Sequence, residues 1–172
     1  VYNDQKVPDR NQAILNGSKT PVPRLKRNVQ RLESSGADVI AIPCNTVHYY
    51  YDELAESVDV DILHILQESK TEIQRHDIDT VGLLSTSTVM EVELYRDEFE
   101  DVDIDVLHPE NSDYLMDAIY SIKKGDYKKA QKLVDEVVND LTRRNIDGLI
   151  VGCSDLSLLT IKTELPTFDP TN

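Results

Sequence analysis

Positive charge is what this chain has least of: 18 Lys and Arg stand against 32 Asp and Glu, a formal net charge of −14. Such a molecule repels a phosphate backbone and an anionic lipid surface at long range, which argues against nucleic-acid and membrane partners. Long apolar runs are lacking too, since none approaches the ~20 residues that a membrane helix requires. No apolar segment of signal-peptide type opens the chain, so a cytoplasmic protein is the expectation. Cysteine is scarce. Cys44 and Cys153 lie 109 positions apart, without the close spacing of a disulfide framework or a zinc ribbon, and are expected as free thiols with no metal. What is present suffices for a folded protein: 172 residues with 40% hydrophobic content can form one ordinary domain or two small α/β lobes. Asp supplies 20 of the acidic residues. The dense run from Asp97 to Asp105 fits a solvated face, and the Asp load also suits hydration in strong salt.

Apolar periodicity alternates along the chain between helix and strand. Val1-Tyr2-Asn3 resembles the end of a strand, followed by a polar loop to Arg10. From Pro23 onward, Leu25, Val29 and Leu32 recur at helical spacing opposite Arg24, Lys26, Arg27 and Arg31, and Gly36 supplies a stop. Val39 to Ile42 is a short continuous apolar run, as a doubly covered parallel strand requires, ending in Pro43-Cys44-Asn45-Thr46. A second apolar run covers Ile62 to Leu66, and a polar helix follows to about His76. A strand from Val81 to Leu84 ends in Ser85-Thr86-Ser87-Thr88, and another spans Ile104 to Leu107. Asn111-Ser112-Asp113 caps a helix through Lys124 that Gly125 closes. A long helix from Tyr127 to Arg144 precedes the strand Leu149-Ile150-Val151, which ends in Gly152-Cys153-Ser154-Asp155. This rhythm predicts parallel-sheet α/β architecture.

Sliding the chain along itself by 109 residues superposes two helix–strand–turn units. Leu25 falls on Val134, Val29 on Val138, Leu32 on Leu141, Asp38 on Asp147, Ile40 on Leu149, Ile42 on Val151 and Cys44 on Cys153. Shared α/β patterning accounts for apolar matches, but not for coincident cysteines. Either cysteine alone is readily explained as core packing. As a pair, each follows a strand, where open parallel sheets gather ligands, and precedes a polar residue that can begin a helix. Unpaired N–H groups there stabilise a thiolate. Two such bases, one per lobe about a pseudo-twofold axis, suit stereoinversion at one carbon.

Pro43-Cys44-Asn45-Thr46-Val47-His48 resembles the Pro-Cys-Asn-Thr-x-His signature of the aspartate/glutamate racemase family. Gly152-Cys153-Ser154-Asp155 is similar to its Gly-Cys-Thr-Glu, with Ser154 and Asp155 as departures. Pro8-Asp9-Arg10 and Ile122-Lys123-Lys124-Gly125 match two further family motifs, in the same order. The resemblance implies two pseudo-symmetric α/β lobes with the active site in the cleft between them: residues 1–62 with 166–172 as lobe 1, and 63–165 as lobe 2. Family members open with a strand and a Gly-Gly-Met-Gly-Pro loop and close with a helix after Asp-Pro. Neither is present, so the chain is expected to be part of a protein of roughly 230 residues.

By this resemblance Cys44 and Cys153 are the two catalytic bases of a racemase that needs neither pyridoxal phosphate nor metal. The thiolate on one face removes the α-proton and the thiol on the other returns one. Backbone N–H groups after each cysteine, with Asn45, Thr46 and Ser154, would stabilise the charge developing at the α-carboxylate. Arg10 and Lys123 would hold substrate carboxylates and impose a preference for acidic amino acids, aspartate before glutamate. Thr86 resembles a substrate-facing hydroxyl, although Thr88 and Val89 replace the usual Gly-Thr. His48 stands four residues after Cys44, a poor metal signature by itself, and zinc would quench a thiolate base, so His48 is assigned to packing or support. Tyr49, Tyr50 and Tyr51 suggest no mechanism. A homodimer is implied by the family. Two alternatives stay open: a homologue that binds a small dicarboxylate or amino acid without turnover, and another reaction on the same scaffold, such as hydantoin racemisation.

Overall fold

Where apolar side chains recur every three to four residues the chain coils into helices, and where they run on continuously it enters parallel strands. A computed structural model describes residues 1–171. These form two compact units divided between Ile65 and Leu66. The first unit contains α1 (Arg10–Leu15), α2 (Val22–Ser34), β1 (Val39–Ala41), a 3-10 turn (Asn45–Tyr50), α3 (Tyr51–Ala55) and β2 (Asp61–Leu63). β1 and β2 pair in parallel, with Ile40 opposite Ile62. α2 is amphipathic as its spacing predicts. It buries Val22, Leu25 and Val29, carries Pro23 in its first turn, where a missing N–H costs nothing, and packs on β1. Gly36, with φ of 85°, lets the chain reverse after it.

In the remainder α4 (Ile65–Ile73) leads to β3 (Thr80–Leu84), α5 (Ser87–Glu91), α6 (Leu94–Glu98), β4 (Asp105–Leu107), α7 (Ser112–Lys123), α8 (Tyr127–Arg143), β5 (Gly148–Val151) and β6 (Thr167–Phe168). The strands form one parallel sheet in the order β4-β3-β5-β6. Central β3 and β5 are buried on both faces, which explains why both are rich in Val, Leu and Ile. Helices α7 and α8 pack on one another, burying Leu115, Ala118, Ile119, Val134 and Leu141. Gly82 permits a close approach of α8 and β5 to its strand. A Cβ at this position would lie 3.0 Å from the side chains of Leu141, Ile146 and Leu149.

The α/β class and the parallel sheets agree with the expectation, and several local features differ. Residues 1–3 lie outside any strand. The apolar run from Ile62 to Leu66 splits, with β2 ending at Leu63 and Ile65 and Leu66 turning into α4. A short apolar run has no period that separates strand from buried helix. Short helices α1, α5 and α6, and the two-residue β6, had no periodic signal to announce them. The lobe boundaries change accordingly. Residues 63–65 belong with the first unit, and the segment beginning at 166, expected in lobe 1, joins the second. The reason is backbone pairing: β6 runs alongside β5 with Phe168 opposite Ile150, and the Leu149 N–H donates to the Pro166 carbonyl at 2.9 Å. Asn172, the end of that expected lobe, lies outside the described residues. No helix among the described residues is long and apolar enough to cross a membrane.

Candidate active site

In the first unit the candidate residues gather at the C-terminal end of β1. Cys44 is extended (φ −151°, ψ 104°) and half-buried, and its carbonyl starts the 3-10 turn by accepting the Val47 N–H at 3.1 Å. Asn45 and Thr46 are buried in the first residues of that turn. Arg10 opens α1, whose N-cap Asp9 accepts the Gln12 N–H, and α1 packs on the turn. The structure therefore brings Arg10's helix to the Cys44 loop. Behind the turn lies a support that sequence reasoning did not resolve. His48, only 5% exposed, places Nδ1 3.0 Å from the Cys44 carbonyl oxygen and Nε2 3.3 Å from that of Leu63, at the end of β2. Burial pushes its pKa below the ordinary imidazole value, against the opposing effect of these two carbonyls, with His64 nearby adding to the depression.

The tyrosine run also acquires a meaning. Tyr50 is buried and its hydroxyl donates to the Ser18 carbonyl at 3.0 Å, tying the turn to the α1–α2 connection. Tyr51 donates to the Ile62 carbonyl at 2.9 Å and stacks on His48. Tyr49 faces solvent.

The second unit repeats the arrangement around Cys153. Register pairs Leu84 with Val151, so Ser85-Thr86 and Gly152-Cys153 leave adjacent strands side by side. Fully buried Ser85 donates its hydroxyl to the Gly152 carbonyl at 2.7 Å, and the Gly152 N–H donates to the Leu84 carbonyl at 2.8 Å. No larger residue fits easily at 152. A Cβ there would meet Leu83 at 3.0 Å and Ser85 at 3.2 Å. Thr86 caps α5, its hydroxyl oxygen accepting the Val89 N–H at 3.4 Å, which leaves the hydroxyl proton to donate elsewhere. Lys123, in the last turn of α7, reaches to 3.6 Å from the Asp155 carboxylate. Cys153 is half-buried and Ser154 is exposed.

Each unit thus presents its own group: Arg10, Cys44, Asn45 and Thr46 in the first, Thr86, Lys123, Cys153 and Ser154 in the second. A cavity of about 330 Å³ lined by Pro109, Asn111, Glu136 and Arg143 includes none of them. Among the described residues no group of three or more His, Cys, Asp or Glu is arranged to hold a metal ion.

The model of one protein family, Asp/Glu/Hydantoin racemase, matches residues 1–172. The chain belongs to the Asp/Glu/hydantoin racemase family. Within this racemase family it is similar to the broad specificity amino-acid racemase RacX of Bacillus subtilis (strain 168), with 28% identity over 142 residues, 81% of this chain and 62% of that protein. Similarity to a glutamate racemase of Sulfurihydrogenibium sp. (strain YO3AOP1) is 28% over 135 residues, 75% of this chain and 51% of that one. Both alignments cover less than two thirds of the relative's length. Among solved structures of the racemase family, the Picrophilus torridus aspartate racemase matches with a TM-score of 0.88 and 27% identity, over 99% of this chain and 73% of that one.

Proposed function

We propose that the protein racemises amino acids without a cofactor, with Cys44 and Cys153 as the two bases and acidic amino acids as its preferred substrates. One observation carries this reading: the two cysteines occupy equivalent positions in two helix–strand–turn units, α2–β1 and α8–β5, each just beyond a parallel strand. Family membership and the activities for which the relatives are named support it. In one direction a thiolate takes the α-proton, so that the C–H bond breaks as an S–H bond forms. The opposite thiol then gives its proton to the other face of Cα, and the enzyme is left with the protonation states of the two sulfurs exchanged. The amides of the Cys44 turn and of the residues after Cys153 stabilise negative charge spreading into the α-carboxylate, with Asn45, Thr46 and Ser154 adding polar groups. Arg10 and Lys123 supply the cations for substrate carboxylates, and Thr86 a hydroxyl.

A specific observation favours a broader substrate range as the second reading. Asp155 stands 3.6 Å from Lys123 and competes with a substrate carboxylate for its charge, and the relative RacX is named for broad specificity. Incubation with L-aspartate, L-glutamate and L-alanine, followed by chiral chromatography, tests both. Accumulation of D-aspartate or D-glutamate to the racemic mixture, unaffected by a chelator or a carbonyl reagent, is the expected result. D-alanine formed at a comparable rate would establish the broader range. Absence of any D-enantiomer would reject racemisation.

A further inference from the structure

Both ring nitrogens of His48 face backbone carbonyl oxygens, and a neutral imidazole has one proton to give. Burial favours the neutral ring, so one contact is a hydrogen bond and the other leaves two lone pairs facing each other. The distances differ: 3.0 Å from Nδ1 to Cys44 and 3.3 Å from Nε2 to Leu63. We infer that His48 is a positioning residue for Cys44, carrying its proton on Nδ1 and donating it to the Cys44 carbonyl. That carbonyl then receives two donors, the His48 ring and the Val47 N–H at 3.1 Å. The peptide plane following Cys44 is thereby fixed, and with it the direction of the Asn45 amide and the position of the Cα that carries the Cys44 side chain. The ring itself has little freedom to turn. Tyr51 lies parallel to it with centroids 6.0 Å apart, His64 meets it edge-on at 5.4 Å, and Tyr51 meets His64 at 4.2 Å. Tyr51 is in turn anchored on the Ile62 carbonyl. The end of β2 thus holds the loop at the end of β1 through a wedge of three rings.

The catalytic part of this inference rests on Cys44 acting as a base, and the geometric part does not. With histidine labelled by nitrogen-15 and the His48 signals assigned by their loss in His48→Asn, a proton on Nδ1 near neutral pH is expected. A proton on Nε2 overturns the inference whatever the protein catalyses. Three variants then separate positioning from mere packing. Asn at 48 keeps an N–H near the place of Nδ1, Gln puts its amide near that of Nε2, and Phe fills the space with neither. In His48→Phe and His48→Gln, kcat should fall roughly tenfold or more with KM within about threefold, while His48→Asn stays within about threefold of the parent. Alkylation of Cys44 by iodoacetamide, read by mass spectrometry, should shift by roughly threefold or more in the Phe variant and return in the Asn variant, with Cys153 unchanged. If the parent protein racemises nothing, the function proposed above fails, and the tautomer and alkylation results still decide this point. An Asn variant as impaired as the Phe variant, or equal changes at both cysteines, would show that His48 serves stability alone.

Discussion

At the scale of single residues, the polar groups around each cysteine divide into those that hold the loop and those free to meet a ligand. His48, Tyr50, Tyr51 and Ser85 are committed to backbone carbonyls. Arg10 is half-buried at the start of α1, and Lys123 approaches Asp155 at 3.6 Å and lies 6.0 Å from the centre of the Tyr120 ring, in a partly exposed setting where such contacts contribute little. Removing either cation should therefore cost recognition and not folding. Arg10→Ala and Lys123→Ala are each expected to lower kcat/KM for aspartate by about ten- to a hundredfold, the equivalent of a lost charged hydrogen bond. Alanine, which lacks the second carboxylate, should lose less. Steady-state kinetics of both variants on both amino acids checks this, and equal losses on the two would detach these residues from the side-chain carboxylate.

At the scale of elements, parallel strands that end in step place the two loops of the second unit, and a glycine at 152 lets them approach. Gly152→Ala forces a methyl group against Leu83 and Ser85, so thermal unfolding should report a loss of about 1–3 kcal/mol. Ser85→Ala removes the donor to the Gly152 carbonyl and should cost about 1–3 kcal/mol for the unsatisfied buried oxygen. His48 links the first unit to pH. Its folded pKa is depressed, so as pH falls below about 6.5 the unfolded chain takes up a proton that the folded one refuses, and stability declines toward the lower folded value. Urea unfolding across that range should show the decline, and His48→Asn should flatten part of it. His108, depressed by burial and by Arg96, contributes to the remainder.

The longer elements of this layer were legible in the sequence, because α2, α7 and α8 have periodic apolar faces and β3 and β5 have continuous ones. Short α1, α5 and α6 span five or six residues each, too few for a period to declare itself. β6 is held by pairing with β5, a tertiary fact that no local pattern carries. The two cysteine turns were readable from motif and repeat together. Their supports were legible only in part: the sequence assigns His48 to packing or support, but its contact with the Leu63 carbonyl, like that of Ser85 with Gly152, depends on main-chain atoms brought near by folding, which no local pattern marks.

At the scale of the whole molecule, the 109-residue repeat is structural as well as textual, since α2–β1–turn and α8–β5–turn recur in the same order with their cysteines in corresponding places. Duplicated units with one thiol each suit a reaction that is the same read forwards or backwards, in which either base can begin. The acidic surface fits a different demand. With a net charge of −14, the molecule repels a dicarboxylate at a distance and must depend on local cations to capture one. The claim most exposed to test is that both thiols are required. Exchange of the α-proton of L- and of D-aspartate for solvent deuterium, followed by proton NMR alongside racemisation, measures it directly in the parent protein, Cys44→Ser and Cys153→Ser. The parent should label both enantiomers while interconverting them, and each variant, still folded, should lose racemisation by roughly a thousandfold or more, as expected when an essential base is removed. Racemisation at the parental rate in either variant would contradict the two-thiol account.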